Sequence, residues 1–373
     1  MTMRVLLVIP KYYGAPWQDG VKCIARRLVS YLRSKRHEVI VVSAGHGAST
    51  ERIGEYGEKI YYAMEVEDLR NKDRRLWIRG RLWLSMINLA RRVMHENEPD
   101  VALLFASGSL FLGLRAAILK SVLGGRLVLY VTGLNNPIFG TGWLIPDLKV
   151  IVGSPFLLRW FPNATVAYPA TPIHFKADRR SNSFRHPSSP LSLLYLGTAQ
   201  RERGVEYLLK GVAIARGRTQ CQLRLTLCLN GTGEENHDDI TRQIAGLALN
   251  DIVSVHGIVD SSQAYRCSDV VVIPRQKPTR MSFPVRIIEA LSFQKPLIVT
   301  SMCDMGRLAE GSALVVDPRS PDDLAKAIVK LAEDHRLYQR LSDECASLMR
   351  KYEPGASLDI IYSVLRNMAH RPG

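Results

Sequence analysis

The chain has 373 residues, of which 46% are hydrophobic and 23% are charged, so it is globular in composition and too long for a single core. No apolar run reaches the roughly 20 residues that a bilayer-crossing helix needs, and the short apolar N-terminus predicts a strand rather than a signal peptide. The six cysteines form no C-x-x-C pair, and no histidines are interleaved with them as metal ligands. We therefore expect reduced thiols in a cytoplasmic protein and no metal site.

The formal net charge of +15 is concentrated in the N-terminal half of the chain. Residues 1–177 carry 24 Lys and Arg against 13 Asp and Glu, whereas the remaining residues carry 26 against 22. Basic proteins bind nucleic acid, anionic membranes or anionic substrates, and composition alone does not choose among these partners. The sequence contains no recognisable nucleic-acid reader module and no array of aromatic residues among its basic loops. Nucleic acid is therefore not expected as a partner.

Strands and helices alternate along the first half of the chain, which predicts a doubly wound parallel sheet. Apolar runs predict strands at residues 4–10, 37–43, 59–64, 101–105, 127–131 and 150–152. An apolar stripe predicts a helix over residues 21–35, and the loop before it contains Gly14 and Gly20. A loop that leads into a helix is a common ligand site in such sheets, although these glycines are equally typical of a tight turn.

A helix predicted over residues 74–96 combines cations with two tryptophans. Cations beside aromatic residues are typical of a helix that lies on an anionic membrane surface. The candidate membrane- or acceptor-binding residues are Arg74, Arg75, Arg79 and Arg81. The alternative is a helix that packs on the sheet and leaves a basic face in solvent.

A polar segment rich in Ser, Pro and Arg predicts an interdomain linker at residues 178–190. It separates a first domain, residues 1–177, from a second, residues 191–355. Residues 356–373 are predicted to form a helix that crosses back to the first domain. In the second domain, strands are predicted at 191–196, 224–229, 252–256, 270–273, 297–299 and 313–316, and Ser320 is predicted to cap the helix that follows.

Loops at the carboxyl ends of these parallel strands are expected to converge on one crevice. The residues that they bring there are Thr198, Arg203, Gly231, Gly257, Arg275 and Phe283. The loop at 274–283 also contains Lys277 and Arg280, and it ends at a predicted helix N-terminus, so it is a candidate seat for a diphosphate. In that helix Glu289 lies among apolar residues, and a buried carboxylate needs partners. The alternative is a glutamate on the solvated stripe of an ordinary crossover helix.

Several blocks follow one another in an order and spacing typical of one family. They are DGVKCIARRLVSYLRSKRHEVIVV, VGSPFLLRWFPNATVAYPATPIHF, LLYLGTAQRERGVEYLLKGVAIA, NDIVSVHGIVDSSQAYRCSDVVVIP, MSFPVRIIEALSFQKPLIVTS and ALVVDPRSPDDLAKAIVKLAED. Together they resemble the retaining glycosyltransferases of family 4. The resemblance implies an α/β protein of the GT-B fold, in which two Rossmann-like domains with doubly wound parallel sheets face a central cleft. It also implies metal-independent transfer of a sugar from a nucleotide-diphosphate sugar, with no cofactor, and no D-x-D triplet occurs.

The resemblance also implies roles for individual residues. Glu289 matches the second glutamate of the family's E(x7)E motif, which binds the donor ribose, and Arg203 matches the lysine that meets the donor diphosphate. Gly20 matches a glycine close to the phosphates. The remaining donor contacts are implied for the nucleobase at Gly257 and Ile258, and for sugar and phosphate at Ser282, Phe283, Pro284 and Val285.

Three positions depart from the family pattern. Met281 replaces the first motif glutamate, Thr198 replaces the usual diphosphate arginine, and Thr132 replaces the active-site histidine. Electrostatic stabilisation of the departing diphosphate often dominates catalysis, so these losses need not abolish it. The cations that could replace the arginine are Arg201, Arg275, Lys277 and Arg280.

We therefore expect a retaining, hexosyltransferase-like enzyme that is cytoplasmic and peripheral on the inner face of a membrane. Its acceptor would be a glycan or a lipid-linked molecule, bound by the basic first domain. The alternative is a catalytically degenerate GT-B subunit that binds a ligand or a partner.

Overall fold

The structure is a computed structural model, and the contacts divide the chain into two compact units. Unit 1 is built mainly from Met1–Pro172 and Glu353–Gly373, and unit 2 from Ile173–Thr279 and Pro284–Tyr352. The residues that the structure describes are 2–9, 12, 20–43, 51–63, 75–108, 112–122, 125–134, 148–170, 190–229, 234–257, 259–277, 285–302 and 305–370.

Strands and helices alternate in both units. The strands are β1 Arg4–Ile9, β2 Glu38–Ser43, β3 Glu51–Ile53, β4 Lys59–Tyr62, β5 Val101–Gly108, β6 Leu127–Leu134, β7 Lys149–Val152, β8 Thr165–Val166, β9 Leu191–Gly197, β10 Leu223–Leu229, β11 Val253–His256, β12 Val270–Ile273, β13 Leu297–Thr300 and β14 Ala313–Val316. The α-helices are α1 Gly20–Ser34, α2 Arg75–Asn97, α3 Leu112–Val122, α4 Val205–Arg216, α5 Glu234–Gly246, α6 Ser261–Arg266, α7 Val285–Ser292, α8 Met305–Leu308, α9 Pro321–Glu333, α10 His335–Lys351 and α11 Pro354–Ala369.

Unit 1 contains an eight-stranded sheet with the order β3-β4-β2-β1-β5-β6-β7-β8. The strands are parallel except for β3, which pairs antiparallel with β4. Val5 on β1 aligns with Val39 on β2 and with Val101 on β5, so the sheet has continuous apolar rows at its centre. Such rows are expected of a parallel sheet that is covered on both faces.

The side chains of β1 alternate between two cores because successive residues of a strand point to opposite faces. Val5 and Leu7 belong to the core that α1 and α11 cover, and Leu6 and Val8 belong to the core that α2 covers. The last helix, α11, thus packs on unit 1, and it begins at Pro354, two residues before the predicted start at residue 356. Proline suits the first helical turn because that turn does not use its own N–H groups.

The apolar stripe of the helix α2 faces the protein core. Ile87 and Ala90 are buried against the sheet, whereas Arg81 and Arg92 are exposed. Packing on a core is therefore the arrangement that the described part of this helix shows. No helix among the described residues combines the length and the apolarity that are needed to cross a membrane.

Unit 2 contains a six-stranded parallel sheet with the order β11-β10-β9-β12-β13-β14. From β9 the chain moves outward through β10 to β11, and it then returns to the other side of β9 and moves outward again from β12 to β14. The order therefore reverses between β9 and β12. A reversal of this kind opens a crevice at the carboxyl ends of the two strands, where ligands bind in open α/β sheets.

The prediction of an α/β protein with two doubly wound parallel sheets is confirmed. The short strands β3 and β8 were not predicted, because segments of three and two residues carry too little periodicity to be recognised. Ser320 caps α9 as predicted, with its hydroxyl accepting a hydrogen bond from the Asp323 N–H at 3.2 Å. The predicted linker at 178–190 lies almost wholly outside the described residues.

Candidate functional site

A cavity of about 30 Å³ lies at the reversal of strand order in unit 2. It is lined by the ends of β9 and β12, by the residues that follow them, and by the first turn of α7. Its lining residues are Tyr195, Leu196, Arg203, Val271, Val272, Ile273, Pro274, Arg275 and Arg286. We call it the arginine cavity, after its three guanidinium groups. It has room for small polar groups such as phosphate oxygens rather than for a whole nucleotide, so a ligand would enter it with a charged end.

Arg203 reaches the cavity from a short 3-10 helix, Arg201–Arg203, that follows β9. Its Nε atom is buried and has no hydrogen-bond partner among the described residues. A buried donor without a partner is costly, and it is commonly satisfied by a ligand or by water. Arg203 is therefore well suited to bind an anion.

The predicted diphosphate position Thr198 lies beside the cavity. Its hydroxyl oxygen is buried and unpaired within the described part of the chain, while its carbonyl accepts a hydrogen bond from the Tyr195 hydroxyl at 2.7 Å. Burial raises the pKa of Tyr195 to about 12, although Arg203, Arg275 and Arg286 act in the opposite direction. The phenol therefore stays neutral and serves as a fixed hydrogen-bond donor.

The two loops of the cavity are joined by backbone contacts. The Gln276 N–H donates to the Glu202 carbonyl at 2.9 Å, and the Gln276 side-chain amide donates to the Pro274 carbonyl at 2.8 Å. Gly204 has a φ of +78°, and a Cβ atom there would lie 1.9 Å from the Pro274 oxygen. Only glycine allows this approach, which brings the loop after β9 against the loop after β12.

Arg275 is held in place by the next strand. Arg275 is only 6% exposed. Its carbonyl accepts a hydrogen bond of 2.7 Å from the hydroxyl of Thr300, which lies at the end of β13. Arg203 and Arg275, which the sequence predicted as donor-binding residues, therefore lie in one cavity.

Glu289 lies on α7 and is not part of a solvated stripe. Ile287, Ile288, Ala290 and Leu291 are buried, and this spacing leaves Arg286 and Glu289 three residues apart on the remaining side of the helix. The side chain of Glu289 is 19% exposed, and its Oε2 atom accepts hydrogen bonds from the Tyr265 hydroxyl at 2.7 Å and from Arg286 Nη1 at 2.6 Å. The expectation that this carboxylate has partners is confirmed.

Tyr265 supports this carboxylate from α6. Its ring is buried and stacks on Phe293, with 5.2 Å between the ring centres. Burial and the neighbouring carboxylate raise the pKa of Tyr265, so its hydroxyl remains a donor. Burial opposes the charge of Arg286, but Glu289 and Tyr265 outweigh it, and the pKa of the guanidinium is raised. Arg286 is therefore permanently cationic.

Arg286 and Tyr265 were missed as site residues in the sequence. The spacing of Arg286 and Glu289, three apart on a helix that follows a cationic loop, is the signal that could have revealed the first. Tyr265 had no such signal, because its contact with Glu289 depends on how α6 packs against α7.

The other predicted donor residues of unit 2 have different surroundings. Gly257 follows β11 and is exposed, and a Cβ atom there would meet nothing within 4 Å. Val285 is the first residue of α7 and is half-buried. Arg201 and Lys277 are exposed. The residues that lie outside the described part of the chain are Gly231, Ile258, Arg280, Met281, Ser282, Phe283 and Pro284.

Predicted site residues of unit 1 are also placed. Gly20 begins α1. Thr132 is buried on β6, and its hydroxyl donates to the Ala106 carbonyl across a distance of 3.4 Å. Arg75 and Arg79 belong to α2, although their side chains are outside the described residues, as is all of Arg74. Within the described ranges, His, Cys, Asp and Glu form no group of three or more that could hold a metal ion.

Comparison with known proteins agrees with this geometry. Residues 190–334, which contain the whole arginine cavity, match the family model of the glycosyl transferases group 1. Sucrose-phosphate synthase from Thermosynechococcus elongatus has the same fold, with a TM-score of 0.77 and 16% identity over 98% of this chain and 99% of that one. HepE from Anabaena, solved in complex with UDP and glucose, gives a TM-score of 0.72 and 16% identity over 98% and 100% of the two chains.

The chain therefore has the GT-B fold, and residues 190–334 are similar to the glycosyl transferases group 1. Among curated proteins it is similar to the alpha-D-kanosaminyltransferase of Streptomyces kanamyceticus, with 25% identity over 47% of this chain and 45% of that protein. It is also similar to the D-inositol 3-phosphate glycosyltransferase of an Arthrobacter species, with 27% identity over 40% of this chain and 36% of that protein. These matches span less than half the length of the curated relatives.

Proposed function

We propose that this protein is a retaining glycosyltransferase that transfers a sugar from a nucleotide-diphosphate sugar to a glycan or a lipid-linked acceptor. One observation carries the proposal: three arginines line a cavity at the strand-order reversal of the domain that matches the glycosyl transferases group 1. The HepE structure with UDP and glucose supports a nucleotide-sugar donor.

The chemistry of this transfer suits a cluster of arginines. The bond between the anomeric carbon and the β-phosphate oxygen breaks, and its electron pair leaves with the diphosphate. The acceptor oxygen bonds to the anomeric carbon on the same face, and its proton passes to the departing diphosphate. Arg203 and Arg275 would neutralise the charge that develops on the leaving group, which is often the largest single contribution to catalysis. Glu289 remains, from the family resemblance, the proposed ribose ligand.

Sugar transfer is the direct test of this function. The purified chain should transfer sugar from at least one nucleotide-diphosphate sugar and should keep the anomeric configuration of the donor. Arg203→Gln should lower kcat/KM about 100- to 1,000-fold, because it removes a donor to the leaving group. The matched control is Arg242→Gln, since Arg242 is an exposed arginine on α5 and pairs with Asp239 at 3.6 Å. A product with inverted configuration would contradict the retaining mechanism.

The acceptor and the membrane surface are proposed from the basic charge of the first domain. Residues 1–177 carry 24 Lys and Arg against 13 Asp and Glu, and the exposed face of α2 includes Arg81 and Arg92. Anionic membrane surfaces attract such segments by about 1 kcal/mol for each nearby cation. A peripheral enzyme on the cytoplasmic face of a membrane, acting on a lipid-linked diphosphate, fits these charges.

Charge reversal tests the membrane proposal. Changing Arg74, Arg75, Arg79 and Arg81 to Glu should weaken binding to anionic liposomes and lower activity on lipid-linked acceptors. A control with the same change in net charge reverses four exposed arginines of unit 2, Arg224, Arg242, Arg266 and Arg340. Equal losses in the two variants would show that only net charge matters, and unchanged liposome binding in the first would contradict the proposal.

A catalytically degenerate subunit is the second candidate, and a specific observation favours it. Thr132 stands at the position of the family's active-site histidine, and it is buried with its hydroxyl directed to the Ala106 carbonyl. If nucleotide-diphosphate sugars raise the thermal stability of the chain while neither transfer nor donor hydrolysis occurs, this second candidate is correct.

A further inference from the structure

Arg286 occupies a position between Glu289 and the arginine cavity. Its guanidinium lines the cavity, and its Nη1 atom donates to Oε2 of Glu289 at 2.6 Å. The same oxygen accepts the Tyr265 hydroxyl at 2.7 Å, and Tyr265 is buried and stacked on Phe293. A rigid aromatic pair therefore fixes the carboxylate, and the carboxylate in turn fixes the guanidinium.

The geometry of a guanidinium allows it to bind two partners at once. It carries five N–H donors in a planar fork, so one edge can pair with a carboxylate while another edge faces a second anion. Arg286 uses Nη1 for Glu289 and also lies close to the Tyr265 hydroxyl, and the remaining N–H groups of its fork can bind a second anion. Its side chain is 29% exposed, so these donors remain accessible to a ligand that enters the cavity.

The rest of the cavity lacks a cation at one expected place. Thr198 stands where the family resemblance expects a diphosphate arginine, and its hydroxyl is buried with no partner among the described residues. Arg203 and Arg275 supply two guanidinium groups, and the third in the cavity comes from α7 instead of the loop after β9.

We propose that Arg286 is a diphosphate-binding residue that replaces the arginine absent at Thr198, and that Glu289 is a positioning residue that holds the Arg286 guanidinium at the cavity. The inference deepens the proposed function and rests on it for the identity of the ligand as a nucleoside diphosphate. It gives Glu289 a role toward the phosphates in addition to the one proposed toward the ribose.

Ligands with and without a ribose separate these two roles of Glu289. A ribose ligand contributes to the binding of a nucleoside or a nucleoside diphosphate, but it does not contribute to the binding of inorganic diphosphate. A residue that positions Arg286 contributes to the binding of inorganic diphosphate as well. The three probes are therefore inorganic diphosphate, UDP and uridine, each titrated calorimetrically into the full chain at constant ionic strength.

We expect Arg286→Gln to weaken the binding of inorganic diphosphate and of UDP about 10- to 100-fold, because charge-assisted hydrogen bonds to phosphate are lost. Glu289→Gln should also weaken the binding of inorganic diphosphate, and the double variant should lose no more affinity than Arg286→Gln alone. Arg286→Lys should recover only part of the affinity, since an ammonium has no fork. Uridine binding should be unchanged in both Arg286 variants, which also verifies that they are folded.

The matched control is Arg242→Gln on α5, where another arginine pairs with an acid three residues away, but on an exposed surface. If this control lost as much diphosphate affinity as Arg286→Gln, the loss would be due to the change in net charge alone, and the inference would be overturned. Normal binding of inorganic diphosphate by Arg286→Gln or by Glu289→Gln would also overturn the inference. The same holds if inorganic diphosphate does not bind to the unmodified chain. Diphosphate binding without sugar transfer would contradict the proposed function and leave the role of Arg286 standing.

Discussion

Gly204 is the residue at which the loop after β9 meets the loop after β12. Its positive φ is unfavourable for any residue with a Cβ atom, and the Pro274 carbonyl lies where that atom would be. The position of Arg203, one residue earlier, depends on this close approach. At the scale of single residues, the arginine cavity is thus built by a backbone contact as much as by its charged side chains.

Replacing Gly204 with Ala is expected to destabilise unit 2 by about 2–5 kcal/mol, since it combines left-handed backbone strain with a clash. Gly125 is a control for the strain alone, because its φ is +86° and a Cβ atom there would meet nothing within 4 Å. Gly125→Ala should therefore cost only about 1–2 kcal/mol. Urea unfolding of the two variants measures both losses of stability. Equal losses would show that the Pro274 carbonyl moves away from the added Cβ atom at no cost in free energy.

At the scale of elements, the last helix is tied to the beginning of the chain by an aromatic cluster. The Tyr362 ring on α11 lies 5.3 Å from the ring of His37, and it also contacts Tyr31 on α1. Tyr31 donates a hydrogen bond to Asp359 of the same last helix. His37 Nδ1 accepts the Met3 N–H at 3.0 Å, which requires a neutral imidazole with its proton on Nε2.

Burial lowers the pKa of His37 below its ordinary value of 6.5. The unfolded chain therefore binds a proton more readily than the folded chain, and the stability due to neutral His37 is complete above pH 6.5 and is lost as the pH falls below it. We expect the Tm of the wild type to fall on acidification from pH 7.5 to 5.5. His37→Asn keeps an acceptor for Met3 and should flatten this dependence. An equally steep fall in the variant would assign it to other groups.

The apolar stripe of α11 completes one core of unit 1. Leu365 is fully buried in that core, beside strands that lie far away in the sequence. Leu365→Ala should cost about 2–5 kcal/mol, because it removes buried methyl groups and leaves a cavity. Asn367→Ala is the control on the same helix, since Asn367 is exposed, and it should change stability by less than about 0.5 kcal/mol. Chemical denaturation distinguishes the two, and a small effect of Leu365→Ala would mean that the helix is not needed for the core.

At the scale of the whole molecule, each unit has cores of its own. The cores of unit 1 include strands β1 and β5 together with α11, and the core of unit 2 includes β9, α4 and α9. Chains with more than one core commonly depart from two-state unfolding. Stability changes in one unit should therefore be separable from those in the other.

We expect calorimetry of the full chain to resolve two unfolding transitions. Leu365→Ala should lower the Tm of one transition, and Gly204→Ala should lower the Tm of the other. UDP should raise the Tm of only one transition, the one whose Tm Gly204→Ala lowers, because a ligand stabilises the unit that binds it. A single transition that both substitutions shift equally would show that the units unfold together.

The sequence by itself determined most of the elements and the class of fold. Runs such as those at Val270–Ile273 and Leu297–Thr300 are apolar throughout, which is a local property of strands that are buried on both faces. The strand boundaries were predicted to within a few residues for the same reason. Arg203 and Arg275 were also recognisable, because they are cations in loops that follow strands directly, whereas Glu289 was assigned to the site through the family resemblance.

The tertiary structure alone decided which of these residues meet. Tyr265 and Glu289 are 24 residues apart, and Arg203 and Arg275 are separated by three strands, so no local pattern predicts their contacts. Strand order arises from the crossover connections, and it places β12 beside β9 rather than beside β11, which precedes β12 in the sequence. Non-local packing therefore created the arginine cavity, gave Glu289 its partners and joined the last helix to the first unit.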